Sequence, residues 1–236
     1  MKKSDVLIII PAYNEEDNIK AVVDNIKNNY SKYDYVVIND GSKDNTRKIL
    51  FEEKFNFINL TNNLGIGGAI QTGYKYARDN DYTYAVQLDG DGQHDVCYLE
   101  NLLHKMKCTG ADVVIGSRFI EKKGFQSSNT RRLGIKLLSS IILICTGVHI
   151  KDVTSGFRLV NKRFIDIFAN DYPQDFPEPE AIVQIVMNRG KIVESPVIMK
   201  ERQGGKSSIS SLKSIYYMIK VSLAILICRI SYGVRR

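Results

Sequence analysis

Short uninterrupted apolar runs, each ended by polar or turn-forming residues, recur through the first half of the chain: Val6 to Ile10, Tyr35 to Ile38, Tyr84 to Leu88 and Val113 to Ile115. A strand covered on both faces needs no alternation of apolar and polar positions, so these runs read as strands of a parallel sheet sandwiched between helices. The stretches between them repeat apolar residues at helical spacing: Ile19, Val22, Val23 and Ile26, then the segments Ile66 to Arg78 and Val96 to Met106. Strands alternating with helices predict βαβ units, hence an α/β fold with a mostly parallel sheet. At 236 residues the chain fits one such domain with extensions.

Two later apolar stretches follow a different pattern. Arg131-Arg132-Leu133 leads into Ile135, Leu137, Leu138 and the run Ile141 to Ile144, and the segment Lys213 to Ile230 again mixes basic and apolar residues. A span needs ~20 apolar residues, and Lys220 interrupts the second stretch. Both are therefore expected to be helices lying in a membrane interface. The alternatives are core helices, or helices that contact a membrane-protein partner or a second copy of the chain.

Composition changes this picture in one respect. Residues 1–121 carry 14 basic and 18 acidic side chains, whereas residues 122–236 carry 19 and 8, so the net charge of +7 is a first half at −4 and a second half at +11. That half is expected to meet phosphate, carried by nucleic acid, anionic lipid or a small ligand. The four cysteines, Cys97, Cys108, Cys145 and Cys228, form no Cys-x-x-Cys pair, which argues against a zinc or dithiol site and suits a reducing compartment. Val6 to Ile10 is too short for the core of a signal peptide and runs straight into Asn14, Glu15 and Glu16.

In open α/β sheets, ligands bind beyond the carboxyl ends of the strands. Polar and glycine-containing motifs stand at each of those ends here: Pro11-Ala12-Tyr13-Asn14-Glu15, Asn39-Asp40-Gly41-Ser42, Asp89-Gly90-Asp91-Gly92-Gln93 and Gly116-Ser117-Arg118. Asp89 and Asp91, with the Gln93 carbonyl, offer hard oxygen ligands suited to Mg2+ or Mn2+, which usually complete their shells with phosphate oxygens. By itself an Asp-x-Asp after a strand is as readily a turn and a helix cap.

Taken together, and joined by Asn63-Leu64-Gly65-Ile66-Gly67-Gly68-Ala69 and Thr154-Ser155-Gly156-Phe157-Arg158, these motifs make a chain that resembles the family 2 glycosyltransferases of GT-A fold. The resemblance runs over nearly the whole chain and is closest to the branch of dolichol-phosphate mannose synthases and bacterial polyprenyl-phosphate glycosyltransferases. It implies a GT-A domain over residues 1–205 and a membrane-associating helical extension over 206–236. Pro11, Tyr13, Glu15 and Asp40 would bind the nucleoside of a nucleotide-sugar donor, joined by Gly90, while Asp89, Asp91 and Gln93 would hold the metal. Arg118 would face the diphosphate or the acceptor phosphate. Arg202, ahead of the glycine-rich stretch Gln203 to Ser208, would belong to a lid and offset charge on the leaving group, with Arg131 and Arg132 binding the acceptor phosphate.

The implied activity is inverting transfer of a hexose from a UDP- or GDP-sugar to a polyprenyl phosphate at the cytoplasmic face of the membrane, with no nucleic-acid partner. An acceptor phosphate is already anionic and needs no strong base. A saccharide hydroxyl, as in cell-surface polysaccharide synthesis, would require a carboxylate, for which Glu178 and Glu180 stand as candidates. A sugar nucleotidyltransferase also uses paired aspartates but releases pyrophosphate. His94, His104 and His149 lack metal-binding spacing and are expected to be structural or exposed.

Overall fold

The computed structural model of the chain describes residues 4–121, 123, 129–200 and 211–234. Within them, seven strands form one sheet: β1 (Val6–Ala12), β2 (Asp34–Asn39), β3 (Phe57–Asn59), β4 (Tyr84–Gln87), β5 (Val113–Ser117), β6 (Arg158–Asn161) and β7 (Ile192–Pro196). Eight α-helices accompany them: α1 (Ile19–Asn29), α2 (Thr46–Glu52), α3 (Gly65–Asp79), α4 (Leu99–Thr109), α5 (Asn129–Thr146), α6 (Lys162–Asn170), α7 (Pro177–Met187) and α8 (Ser211–Val234). The strand order is β3-β2-β1-β4-β6-β5-β7.

The four predicted strands are present, and the sheet is parallel except at β6, which runs antiparallel to both β4 and β5. The remaining strands are short and lack the continuous apolar signature: β3 is Phe-Ile-Asn, β6 Arg-Leu-Val-Asn and β7 Ile-Val-Glu-Ser-Pro. Pairing to their neighbours in the sheet is what makes them strands.

β1 shows why the early runs are continuous. Leu7 and Ile9 enter the core shared with α3, α5, α6, α7 and α8, whereas Val6, Ile8 and Ile10 enter the opposite core against α1 and α4. Successive side chains point to opposite faces, so a strand covered twice is apolar at every position.

α8 packs against α5 and α7, and its Val221 and Ile225 lie in the same core as β1 and β5. Arg229 Nε donates to the Cys145 carbonyl at 2.9 Å, satisfying a carbonyl at the C-terminal end of α5. The segment expected as an extension thus lies on the domain, and the expected boundary between 205 and 206 falls outside the described residues. The outer faces are apolar too. Leu133, Leu137 and Ile144 on α5, and Ile219, Leu223, Leu226, Ile227 and Ile230 on α8, are exposed and recur at helical spacing. Among the described residues no helix is long and apolar enough to cross a membrane.

Candidate active site

The ends of β1, β2 and β4 converge on a cavity of about 250 Å³ lined by Pro11, Ala12, Tyr13, Glu15, Asp40, Ile66, Ala69, Asp89, Gly90, Asp91 and Glu178. Every residue expected to bind the donor's nucleoside is on this wall. Tyr13 is exposed at its rim. The main-chain N–H of Glu15 donates to Thr46 Oγ1 at 2.9 Å, and its Oε2 accepts from Asn18 Nδ2 at 2.8 Å, so α1 and α2 hold the turn after β1. Asp40 is buried; its Oδ1 accepts the Leu64 N–H at 2.7 Å and its carbonyl accepts from Asn63 Nδ2 at 3.0 Å. The end of β2 is thereby clamped to the start of α3. Gly41 makes the clamp feasible: its φ is +65°, and a Cβ there would lie 2.8 Å from the Asn63 nitrogen.

The aspartate pair begins where the chain leaves the sheet, with the Leu88 N–H bonded to the Ile9 carbonyl. Asp89 is braced from three sides. Gln87 Nε2 lies 3.4 Å from its Oδ1, and His94 Nδ1 lies 3.4 Å from both its main-chain nitrogen and its Oδ2. His94 is buried and stacks on Phe157 with ring centroids 5.3 Å apart. Gly156 forms the third wall, because a Cβ there would sit 2.9 Å from Asp89 Oδ1 and 2.9 Å from Gln87 Nε2. Asp91 Oδ1 accepts the Gln93 N–H at 3.0 Å, closing a turn through Gly92 at φ +75°.

The expected third metal ligand is bonded within the protein. Gln93 is not among the residues lining the cavity; its carbonyl accepts the Lys200 N–H at 3.0 Å and its Nε2 faces the Lys200 carbonyl at 3.4 Å. It serves to join the aspartate turn to the chain entering residues 201–210. Arg202, expected to close over the donor, lies outside the described residues.

Arg118 is likewise held by protein partners. Its Nε and Nη2 fork onto Asp152 at 2.7 and 2.6 Å, its main-chain N–H meets the same carboxylate at 3.0 Å, and Nη2 reaches Thr154 Oγ1 at 2.9 Å. Both partners are buried, and Arg118 is not among the residues lining the cavity. Separating a guanidinium from the buried carboxylate that holds it bidentately would leave an uncompensated charge. Arg131 and Arg132 stand in the first turns of α5, exposed and half-buried respectively; neither lines the cavity, but Arg131 acts electrostatically on Glu178, which does.

Two carboxylates of the Phe176 to Glu180 stretch have different fates. Glu178, in the first turn of α7, joins Asp89 and Asp91 on the cavity wall, and burial raises its pKa while Arg158 opposes that shift. Glu180 lines a second cavity between α7 and α8, and its pKa is also raised by burial. What the motifs alone did not reveal is that Gly156, Arg158 and His94 form the bed on which Asp89 and Glu178 rest. The motif Thr154 to Arg158 was the available signal.

Comparison with known proteins agrees with this geometry. The model of "Glycosyl transferase family 2" matches residues 7–168. The chain is 33% identical over 213 residues to a UDP-N-acetylglucosamine–dolichyl-phosphate N-acetylglucosaminyltransferase of Methanococcus voltae, covering 81% of this chain and 84% of that protein. It is 28% identical over 226 residues to the polyprenol monophosphomannose synthase of Mycolicibacterium smegmatis, covering 92% and 85%. Among solved structures, the glucosyl-3-phosphoglycerate synthase of Mycobacterium tuberculosis, in complex with Mn2+, UDP-glucose and phosphoglyceric acid, superposes with a TM-score of 0.69 at 16% identity, covering 95% of this chain and 79% of that one. The mixed sheet, the aspartate pair beyond β4 and these matches together show that the chain belongs to glycosyl transferase family 2 and is a glycosyltransferase of GT-A fold.

Proposed function

We propose that this glycosyltransferase moves a hexose from a UDP- or GDP-sugar onto a polyprenyl phosphate, with inversion, at the inner face of a membrane. The observation that carries the reading is the single cavity in which the ends of β1 and β2 meet Asp89 and Asp91. The named relatives act on polyprenol or dolichyl phosphate, which favours the same acceptor class here.

Pro11, Tyr13, Glu15 and Asp40 would orient the nucleoside, with Gly90 allowing close approach: a Cβ there would already lie 3.0 Å from the Pro11 carbonyl. Asp89 and Asp91 fit Mg2+ or Mn2+. Among the described residues no group of three or more His, Cys, Asp or Glu side chains is placed to hold a metal, which suits an ion that takes one or two carboxylates and completes its shell with substrate phosphates. Such an ion, when bound, would neutralise charge on the diphosphate. Breaking the bond from the anomeric carbon to the diphosphate builds negative charge on the leaving group, and Arg202, two residues beyond the Gln93-bonded Lys200, would offset it. The acceptor phosphate oxygen attacks from the opposite face as an anion, so the protein need not take a proton from it.

The outer apolar stripes of α5 and α8 would rest in the membrane interface with Arg131 and Arg132 at the lipid phosphate, since a surface that presents this many large aliphatic side chains requires a cover. The test is incubation of the purified chain with labelled UDP- and GDP-sugars, Mn2+ and a short-chain polyprenyl phosphate. Label passing into the lipid, and lost with excess EDTA, is the expected result; no lipid product from any donor sinks the reading.

One observation favours a second acceptor. Glu178 shares the cavity with the aspartate pair and has the raised pKa of a carboxyl suited to proton transfer. A saccharide hydroxyl would need that base. Glu178→Gln then discriminates: transfer to lipid phosphate survives it, whereas transfer to a hydroxyl is lost. Transfer of a nucleotidyl group, the remaining alternative, lies outside the family to which the chain belongs.

A further inference from the structure

Arg158 sits at the first position of β6, opposite Gln87 on β4, and is 2% exposed. Burying a guanidinium is costly unless its hydrogens and its charge are both satisfied. Its hydrogens go to main-chain carbonyls: Nε donates to Ser155 at 2.8 Å, Nη1 to Glu178 at 2.6 Å and Nη2 to Val153 at 3.1 Å. Those acceptors belong to two separate elements, the loop ahead of β6 and the first turn of α7. The Arg158 charge acts on the Glu178 carboxyl, where it opposes the effect of burial. Contrast Arg118, whose fork meets Asp152 and Thr154, both in one loop.

The loop that Arg158 grips is the one whose Gly156 lies against the Asp89 carboxylate and Gln87. The α7 turn it grips carries Glu178 into the same cavity. Moving either element would move an acidic group of the site.

We propose that Arg158 is a positioning residue for the transfer reaction, a buried cation that locks the Val153–Gly156 loop behind Asp89 and the first turn of α7 into one rigid floor. The proposal rests on the reading of this cavity as the metal- and donor-binding site. Lysine keeps the charge, but its donors radiate from one nitrogen and lack the planar fork whose three nitrogens reach carbonyls on two elements. Supporting residues behind metal ligands typically contribute 10- to 100-fold to metal affinity or activity.

The experiment compares wild type, Arg158→Lys and Arg158→Met, each corrected for its folded fraction by circular dichroism. Mn2+ binding in the presence of UDP or GDP is followed by electron paramagnetic resonance, and kcat and donor KM by product formation. The expected result is Mn2+ affinity and kcat both lower by about 10-fold or more in Arg158→Lys, and lower still in Arg158→Met. Donor KM at saturating Mn2+ should stay within about threefold, because Pro11, Tyr13 and Asp40 are held by other elements. A residue that merely stabilised the fold would reduce the folded fraction and leave the Mn2+ constant of the folded molecules unchanged, and that result overturns the proposal. A wild-type chain that neither binds Mn2+ with a nucleoside diphosphate nor transfers sugar would instead remove the site reading, and the proposal with it.

Discussion

Gly156→Ala is a one-carbon test of how Asp89 is held. The new methyl would lie 2.9 Å from Asp89 Oδ1, 3.1 Å from its Oδ2 and 2.9 Å from Gln87 Nε2, whereas heavy atoms in ordinary contact are ~3.5 Å apart. About 0.5 Å must therefore be found. The main chain of β4 is pinned by its pairing with β1 and β6, so the two side-chain ends are what yield, the carboxylate and the amide rotating away together. Overpacking of this kind costs about 1–3 kcal/mol, which a folded domain survives. A displacement of half an ångström at a reacting site is more serious, since a misplacement of about 1 Å can cost on the order of 100-fold. The expected outcome is a protein that unfolds cooperatively in urea at modestly lower denaturant, with kcat/KM reduced about 10-fold and a higher Mn2+ concentration needed for half-maximal rate. Wild-type Mn2+ dependence and turnover in Gly156→Ala would refute the claim that this glycine shapes the aspartate.

Asp91→Asn should abolish transfer with little change in the urea midpoint, because the side chain is partly solvated and its Oδ1 can still accept the Gln93 N–H; product assay and equilibrium unfolding check the two halves. Asp152→Ala should lower stability by about 3–5 kcal/mol in urea unfolding, since it strands the buried Arg118 guanidinium, and a replacement of both partners by apolar residues should recover much of the loss. Leu223→Glu with Ile230→Glu should release the chain from anionic vesicles in co-sedimentation while leaving the unfolding midpoint nearly unchanged, as both side chains are on the exposed face of α8. Deleting α8 would be the poorer test, because Val221 and Ile225 are core residues whose loss opens the interior against α5 and α7.

The early apolar runs needed no tertiary information: β1, β2, β4 and β5 are buried on both faces, and that demand writes itself into every position of each run. The polar residues at their ends were equally legible, since a parallel sheet sends its ligand to that edge, and Tyr13, Asp40, Asp89 and Asp91 do line one cavity. Long-range pairing decided the rest. β6 becomes a strand only by inserting antiparallel between β4 and β5, and that insertion carries Gly156 to Asp89 and Arg158 beneath Glu178. Arginine is equally at home on a phosphate or a carboxylate, so the motif Gly116-Ser117-Arg118 was silent on which it would meet until Asp152, 34 positions later, arrived beside it. The amphipathic pattern of α8 likewise marked an apolar helix, but only packing separated Val221 and Ile225, turned inward, from Leu223 and Ile230, turned out. Local pattern specifies which residues must leave water; which partner each polar group finds depends on contacts between segments far apart in the chain.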